Sequence, residues 1–365
     1  VYPTGEYALD VLKPMMEAIS SHPKIRFFTN SEIEAVDGFI GNFKVKVLVK
    51  PRYVTNECDA CGACEAECPV EVLNEFDFGL SKRKAIYLPF SAAVPHVYVV
   101  DDKNCNKCGK CVEVCKRGAI DLNEKPMRME IDIGTIIVAT GHDVYEPPEG
   151  EYGYKVYDNV ITLPQLERLL DENGPTKGQL LFNGSPPKSI VFISCVGSRQ
   201  EPGVYQPLKE GQQLNRYCSR VCCMAALQSA LTVKKRYPAT RICYLYRDIR
   251  TFGRGHEEYY RKAGEALTLF LNYKPEAPPV VSLEPNGLMV SVEDVLTDDR
   301  IIAIPADLVV LNVGIVPRAD ASDVQTKLKI ARGADGFFQE AHAKLRPLDT
   351  PVSYTHLTLP TNREV

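Results

Sequence analysis

Residues 58–69 read C-D-A-C-G-A-C-E-A-E-C-P, and residues 105–115 repeat the pattern as C-N-K-C-G-K-C-V-E-V-C. The shared spacing is C-x2-C-x2-C-x3-C, with Cys58, Cys61, Cys64 and Cys68 in the first copy and Cys105, Cys108, Cys111 and Cys115 in the second. Three thiolates so spaced wrap one corner set of an iron–sulfur cubane, and the fourth, beyond a turn, is directed at the neighbouring cluster. The spacing predicts two [4Fe-4S] clusters that exchange their fourth ligands. Cluster one takes Cys58, Cys61, Cys64 and Cys115, and cluster two takes Cys105, Cys108, Cys111 and Cys68. Two four-thiolate zinc sites are the competing reading, but zinc frameworks pair two distant C-x-x-C hooks rather than setting three in tandem.

The two loops differ in charge. Residues 57–71 carry five acidic side chains and no Lys or Arg, while residues 103–117 carry five basic side chains against Glu113. Anionic cubanes respond to nearby charge, so the sequence predicts that cluster two is the more easily reduced and that electrons pass from one to two. The alternative is that these charges are docking faces for partners.

The rest of the chain is ordinary. Its 365 residues are enough for two or three cores. With 45% apolar and 25% charged residues it reads as globular rather than disordered. Lys and Arg number 43 against 47 Asp and Glu, for a net charge of -4 with no basic run, which argues against a nucleic-acid partner. No apolar stretch is long enough to span a bilayer, and the first residues lack the zones of a signal peptide, so the expectation is a cytoplasmic protein without a membrane span. In such a chain, 13 cysteines, of which all but Cys243 are clustered, point to metal rather than to disulfides.

Before the first motif, apolar spacing predicts a helix around Leu12–Ile19, with Pro14 in its first turn, and strands over Lys24–Phe28, Glu32–Val36 and Phe43–Val49. After the second motif, strands are expected at Met127–Ile133 and Thr135–Ala139, so the cysteine region reads as inserted into a sheet. A helix over Leu163–Glu172, opened by Thr162 and Pro164, leads into a second α/β unit. This comprises strand Ser189–Ser194, helix Arg216–Tyr237, strand Arg241–Tyr246 and a run of short strands from Leu267 to Val313.

A third cysteine group lies in that unit. Cys195 ends the first strand, and Cys218, Cys222 and Cys223 fall at the start of the predicted helix, where the first two would share a face. If the strand end faces the helix, four thiols converge, with Arg199, Arg216 and Arg220 available to offset an anionic cluster. Small buried hydrophobes or a redox disulfide remain open as alternatives. Cys243, inside an apolar strand, reads as core.

Residues 135–141 (T-I-I-V-A-T-G) and 306–317 (A-D-L-V-V-L-N-V-G-I-V-P) are strands ending in small-residue turns, as two-dinucleotide-binding flavoproteins use to bring backbone close to a flavin nucleotide. They nominate Ala139, Thr140, Gly141, Asp307 and Gly314 as FAD contacts. No G-x-G-x-x-G occurs, and where a pyridine-nucleotide turn belongs the chain has Cys195-Val196-Gly197-Ser198, as if a cluster ligand had replaced NAD(P)H binding.

The two cysteine motifs, T-I-I-V-A-T-G, S-C-V-G-S-R at 194–199 and Y-C-S-R-V-C-C-M at 217–224 together resemble the A-type subunits of the heterodisulfide reductase family over residues 2–350. The resemblance implies an α/β, thioredoxin-reductase-like two-dinucleotide-binding flavoprotein fold, incomplete here, with an inserted α+β two-cluster ferredoxin domain. It implies a third cubane on Cys195, Cys218, Cys222 and Cys223, and FAD that splits or merges electron pairs. Its implied partners are B- and C-type subunits of the same reductase, an electron-input protein of hydrogenase or formate dehydrogenase type, and ferredoxin. The expected division is residues 1–50 and 127–150 in an FAD-binding domain, 51–126 in the ferredoxin insert, 151–320 in a second α/β domain carrying the third cluster, 321–350 returning towards the first, and 351–365 as a non-native tail. The competing readings are an NAD(P)H-dependent flavoprotein like the small subunits of glutamate-synthase-type enzymes, and a plain two-cluster ferredoxin-like carrier.

Overall fold

The computed structural model describes residues 1–182, 184–207, 212–266 and 269–351, together with the backbone of 356–358. They form two compact units, one made of Glu6–Thr135 with Asn173–Pro175, the other of Val1–Gly5, Ile136–Glu172 and Thr176–Val365.

The first of these opens with helix α1 (Ala8–Ser21), which starts earlier than its apolar spacing suggests, so that Pro14 lies inside it rather than in the first turn. Strands β1 (Ser31–Phe39) and β2 (Asn42–Val49) form an antiparallel hairpin. In β2 the side chains of Phe43, Val45 and Val47 are buried while Lys44 and Lys46 are exposed, as strict alternation dictates. The expected strand at Lys24–Phe28 is irregular, because the sheet ends at β1 and offers that segment no partner.

Between β2 and β7 the chain makes helix α2 (Ala63–Glu67), strands β3 (Glu71–Leu73), β4 (Lys82–Lys84), β5 (Ile86–Tyr87) and β6 (Val99–Val100), and helix α3 (Lys110–Val114). Strand β7 (Met127–Ile133) then pairs with β2 in one unbroken register, Phe43 with Ile133 through Val49 with Met127. The intervening residues thus leave and re-enter the same sheet. Their own small core contains Tyr53, Val54, Ile86, Tyr98, Val100 and Ile120, packed with Cys64 and Cys111.

The second unit contains β8 (Ile136–Val138), β9 (Asp143–Val144), β10 (Val160–Thr162), α4 (Leu163–Leu170), β11 (Ser189–Val196), α5 (Cys222–Arg236), β12 (Arg241–Tyr246), α6 (His256–Glu265) and β13 (Leu269–Asn272). It continues with β14 (Val280–Glu284), β15 (Gly287–Asp294), β16 (Arg300–Ala306), β17 (Leu308–Val313), β18 (Ile315–Val316) and α7 (Ala321–Leu328). A parallel sheet in the order β10-β17-β11-β12-β13 forms its centre. Every residue of β11 is buried. Ile190 and Phe192 pack on one face with α4 and α5, while Val191 and Ile193 pack on the other with the β14-β15-β16 meander. Burial on both faces explains the unbroken apolar runs of β11 and β17, at roughly 1.5–3 kcal/mol per large aliphatic side chain. A parallel sheet with helices on one face and an antiparallel meander on the other fits the two-dinucleotide-binding class.

Helix α4 is capped by Thr162 as expected, and Gln165 completes a capping box that the sequence reading does not single out. Most of 351–365, the stretch expected to be a non-native tail, lies outside the described residues; the backbone of 356–358 runs parallel to β8. An open strand edge accepts any extended backbone.

Candidate metal centres

Cys58, Cys61, Cys64 and Cys115 line one cavity, of ≈ 260 Å³, together with Val54, Tyr98 and Ile120. Cys68, Cys105, Cys108 and Cys111 line another, of ≈ 10 Å³, with Ile86, Val100 and Leu122. The local geometry repeats between the motifs. Each has a left-handed residue two places after its first cysteine, Ala60 (φ +55°) and Lys107 (φ +55°), and a left-handed glycine at the start of its helix, Gly62 (φ +83°) and Gly109 (φ +82°). The N–H groups of Ala60 and Lys107 point back at the sulfurs of Cys58 and Cys105, each at 3.4 Å. Ala119 N–H does the same for Cys115, also at 3.4 Å. Such donors favour thiolate ligands.

Among the described residues no three His, Cys, Asp or Glu side chains converge on a single-ion site. A cubane spreads its thiolates around a cage of iron and sulfide, and the first cavity offers room between the four sulfurs that line it. The second has the same donor set around a tighter space, so a cubane there requires its walls to move outward.

The crossing of Cys115 into the first cavity carries Lys116 and Arg117 with it. Both line that cavity, and Arg117 Nε pairs with Asp59 Oδ2 at 2.9 Å. Among the described residues no charged side chain lines the second cavity. The charge contrast read along the chain is therefore not the contrast around the two cavities. Other loop charges are neutralised locally: Glu71 by Lys84 at 2.9 Å, and Asp101 by the nearly buried Arg83 at 2.9 Å. Tyr98, on the wall of the first cavity, donates its hydroxyl to Glu65 Oε2 at 2.7 Å.

The third cysteine group is assembled by the two segments that carry it. Near the end of β11 the register against β17 slips, and Cys195 takes a left-handed φ of +63°, a conformation that non-glycine residues hold only where the surroundings impose it. Gly197 follows at φ +69°, where a Cβ would lie 2.0 Å from the Tyr145 ring. The chain then runs beside residues 215–219. Arg199 N–H donates to Tyr217 O and Gln200 N–H to Asn215 O, both at 2.9 Å. Ser198 Oγ donates to Tyr217 O at 3.0 Å and accepts from Ser219 N–H at 3.2 Å.

This pairing corrects one expectation. Helix α5 starts at Cys222 rather than Arg216, because main-chain bonds to 198–200 hold 215–219 out of the helix and Arg220 is left-handed (φ +63°). Cys218 thus reaches the group from the loop, not from a shared helix face. Cys195, Cys222 and Cys223 are buried and Cys218 is half-buried. The four interact. Burial, with Cys223 and Cys218 nearby, pushes the Cys195 thiol up to about 12. The hydrogen bond between Cys222 and Cys223 raises the first and lowers the second to about 7.

Arg199 lies within electrostatic reach of Cys195, as the sequence suggested, but its companion is Arg247, which carries no motif; Arg216 and Arg220 are exposed. Strand pairing gives the signal. Ile193 lies opposite Leu245 as the last pair of the two strands, and Arg247, two residues further on, stands within electrostatic reach of Cys195. Arg199 Nη1 and Arg247 Nε are buried without a partner among the described residues. Orphaned donors beside four thiols fit an anionic cluster. Cys243 sits buried in β12, its thiol pushed up to about 12 by burial, as a core residue.

The flavin candidates separate. Ala139 and Thr140 are exposed after β8, with Gly141 left-handed at φ +73°. Gly314 donates to Val196 O at 2.8 Å and accepts from Tyr145 N–H at 2.9 Å. A Cβ on it would lie 2.6 Å from Ser219 Oγ and 2.9 Å from Ser198 Cβ, so its glycine serves packing of the third cysteine group. Asp307 lies at the opposite end of β17, where its carboxylate accepts the N–H of Lys188 at 2.6 Å and of Ser189 at 3.1 Å. It caps strand starts, away from the carboxyl ends where open parallel sheets bind ligands.

A sheet interrupted by a doubled cysteine motif, in a chain whose α/β unit carries a third cysteine group, defines an iron–sulfur type of protein on a two-dinucleotide-binding type of fold. Residues 56–120 match the 4Fe-4S dicluster domain family. Over 356 residues the chain is 46% identical to the A-type iron-sulfur subunit of the CoB–CoM heterodisulfide reductase of Methanocaldococcus jannaschii, covering 96% of this chain and 52% of that protein. It is 45% identical, with the same coverage, to the A-type subunit of the H2/formate:CoB-CoM heterodisulfide,ferredoxin reductase of Methanococcus maripaludis. The chain belongs to the family of heterodisulfide reductase A-type subunits and spans about half the length of these relatives. Among solved structures it is similar to the sulfide:quinone oxidoreductase of Aquifex aeolicus, at 14% identity and a TM-score of 0.36, over 63% of this chain and 46% of that one. No helix among the described residues is long and apolar enough to cross a membrane.

Proposed function

We propose that this chain is the electron-relay portion of a heterodisulfide-reductase-like complex, holding three [4Fe-4S] clusters in the two units. Cys58, Cys61, Cys64 and Cys115 hold the first, Cys68, Cys105, Cys108 and Cys111 the second, and Cys195, Cys218, Cys222 and Cys223 the third. The observation that carries the reading is the meeting of Cys195 with the other three cysteines across the 198–200 and 215–219 pairing, beside two orphaned arginine donors. A carrier with only two clusters has no use for that arrangement.

The turn Ala139-Thr140-Gly141 serves as one wall of an FAD site, in keeping with the family. When bound, a flavin exchanges two electrons and a cubane one, which lets a pair be divided. This chain's residues do the holding: cysteine thiolates bind, backbone N–H groups at Ala60, Lys107 and Ala119 orient sulfurs, and the apolar walls at Val54, Ile86, Val100 and Ile120 exclude water. Names of relatives that cite H2, formate and ferredoxin support an electron source of hydrogenase or formate dehydrogenase type and ferredoxin as a further partner; B- and C-type subunits of the same reductase at the disulfide are what the family resemblance adds.

Anaerobic reconstitution followed by iron, sulfide and flavin assay tests the reading. About twelve irons per chain supports three cubanes, and about eight supports the plain carrier. Bound NAD(P)H would favour the glutamate-synthase-like alternative.

A further inference from the structure

The two arginines beside the third cysteine group are built in more firmly than neighbouring charges. The Arg247 side chain is 3% exposed and that of Arg199 19%. Arg247 Nη1 donates to Arg199 O at 2.6 Å, and its Nη2 to Glu201 Oε1 at 3.1 Å. Arg199 Nη2 pairs with Asp248 Oδ2 at 2.8 Å. Both carboxylates are about half exposed, at 42% and 51%. Each guanidinium is thus tied on one side to a solvent-facing acid and left with one buried nitrogen that has no partner among the described residues, Nη1 of Arg199 and Nε of Arg247.

The rest of the wall is fixed. Tyr273, fully buried, donates to Ser194 O at 2.6 Å, one residue before Cys195, and stands within electrostatic reach of Cys195, Arg247 and Arg199. Asn312 donates to Ser194 Oγ at 3.3 Å and to the Tyr244 hydroxyl at 3.2 Å. Buried donors without acceptors are rare in folded proteins and call for a missing acceptor. The nearest chemistry that supplies one is a cage of thiolates and sulfides. A buried cation stabilises the extra electron of such a cage more than an exposed one does, because little water screens it.

We propose that Arg247, assisted by Arg199, is a positioning residue for the third cluster: its unpartnered Nε–H donates to the anionic cage on the Cys195 side and raises the cluster's midpoint potential. The inference rests on the three-cluster reading. It gives the third cluster a built-in preference for the reduced state that neither cavity of the insert has, since the cations lining the first are exposed and the second has none.

The test is a redox titration, followed by electron paramagnetic resonance, of the anaerobically reconstituted full chain and of Arg247→Met, Arg247→Lys and Arg199→Met, with iron counted for each. The expected result is a fall in the midpoint potential of the third cluster in Arg247→Met, partial recovery in Arg247→Lys, a smaller fall in Arg199→Met, and unmoved potentials for the two insert clusters. If Arg247→Met loses the third cluster, Arg247→Lys and Arg199→Met carry the comparison. A third cluster retained with unchanged potential in the variants that hold it overturns the inference and leaves the three-cluster reading standing. An unmodified chain with about eight irons overturns both.

Discussion

The backbone N–H of Arg199 donates to the carbonyl of Tyr217 at 2.9 Å, and this bond ties the segment leaving Cys195 to the residue preceding Cys218. Ser198 completes the tie by bonding both Tyr217 O and Ser219 N–H through one hydroxyl. Ser198→Ala leaves the buried N–H of Ser219 without its acceptor and is expected to destabilise the second unit by about 1–3 kcal/mol. Iron content should fall by the share of one cluster while the insert keeps its two. Chemical denaturation and iron assay of the same variant check both.

Gly314→Ala separates packing from cofactor contact. Its Cβ would meet Ser219 Oγ at 2.6 Å and Ser198 Cβ at 2.9 Å. The expected outcome is loss of about 2–4 kcal/mol of stability together with iron from the third group. A variant that loses flavin affinity alone, with stability and iron intact, would restore Gly314 as a cofactor contact.

Interleaving makes a prediction opposite to the one drawn from loop composition. Arg117 and Lys116 line the first cavity, so Arg117→Ala should lower the potential of cluster one and leave cluster two unmoved. Arg117 is 62% exposed, so the shift should be small and shrink with added salt. A potentiometric titration at two ionic strengths reads this directly.

Glu151 supplies a pH signature remote from the cysteines in sequence. Its carboxyl is raised above the usual carboxylate range by burial, Tyr145 donates to its Oε2 at 3.0 Å, and its Oε1 is buried without a partner among the described residues. A carboxyl raised on folding favours the folded state while protonated. That contribution is complete below the unfolded pKa near ~4.3 and is lost as pH rises through the folded value. Glu151→Gln keeps the hydrogen bond and removes the charge. It should therefore be more stable than the parent at neutral pH, with the difference closing in acid. Thermal melts across pH 4–8 measure it.

Much of the architecture was legible because local signals coincided with tertiary ones. The alternation of Phe43 to Val49 and the strand at Met127–Ile133 pointed to an insertion, and the two strands pair directly. Thr162 and Pro164 announced a capped helix and open one. Less legible were features set by strand pairing across distance. Cys218 looked helical because Arg216–Tyr237 has helical composition, yet bonds from residues 198–200 to its neighbours hold it outside the helix. Arg247 gave no local signal, and only the β11–β12 register brings it to Cys195. Asp307 lay in the expected flavin-type strand but at its starting end, where its carboxylate caps Lys188 and Ser189. The charges on Lys116 and Arg117 were assigned to the wrong cavity because a ligand crossing moves its sequence neighbours with it.

The most direct measurement is the iron content of the reconstituted chain beside that of its Cys195→Ser variant. If four cysteines hold a third cubane, the parent binds about twelve irons and the variant about eight. Equal iron in the two proteins, at either value, would contradict the assignment of Cys195 to a cluster.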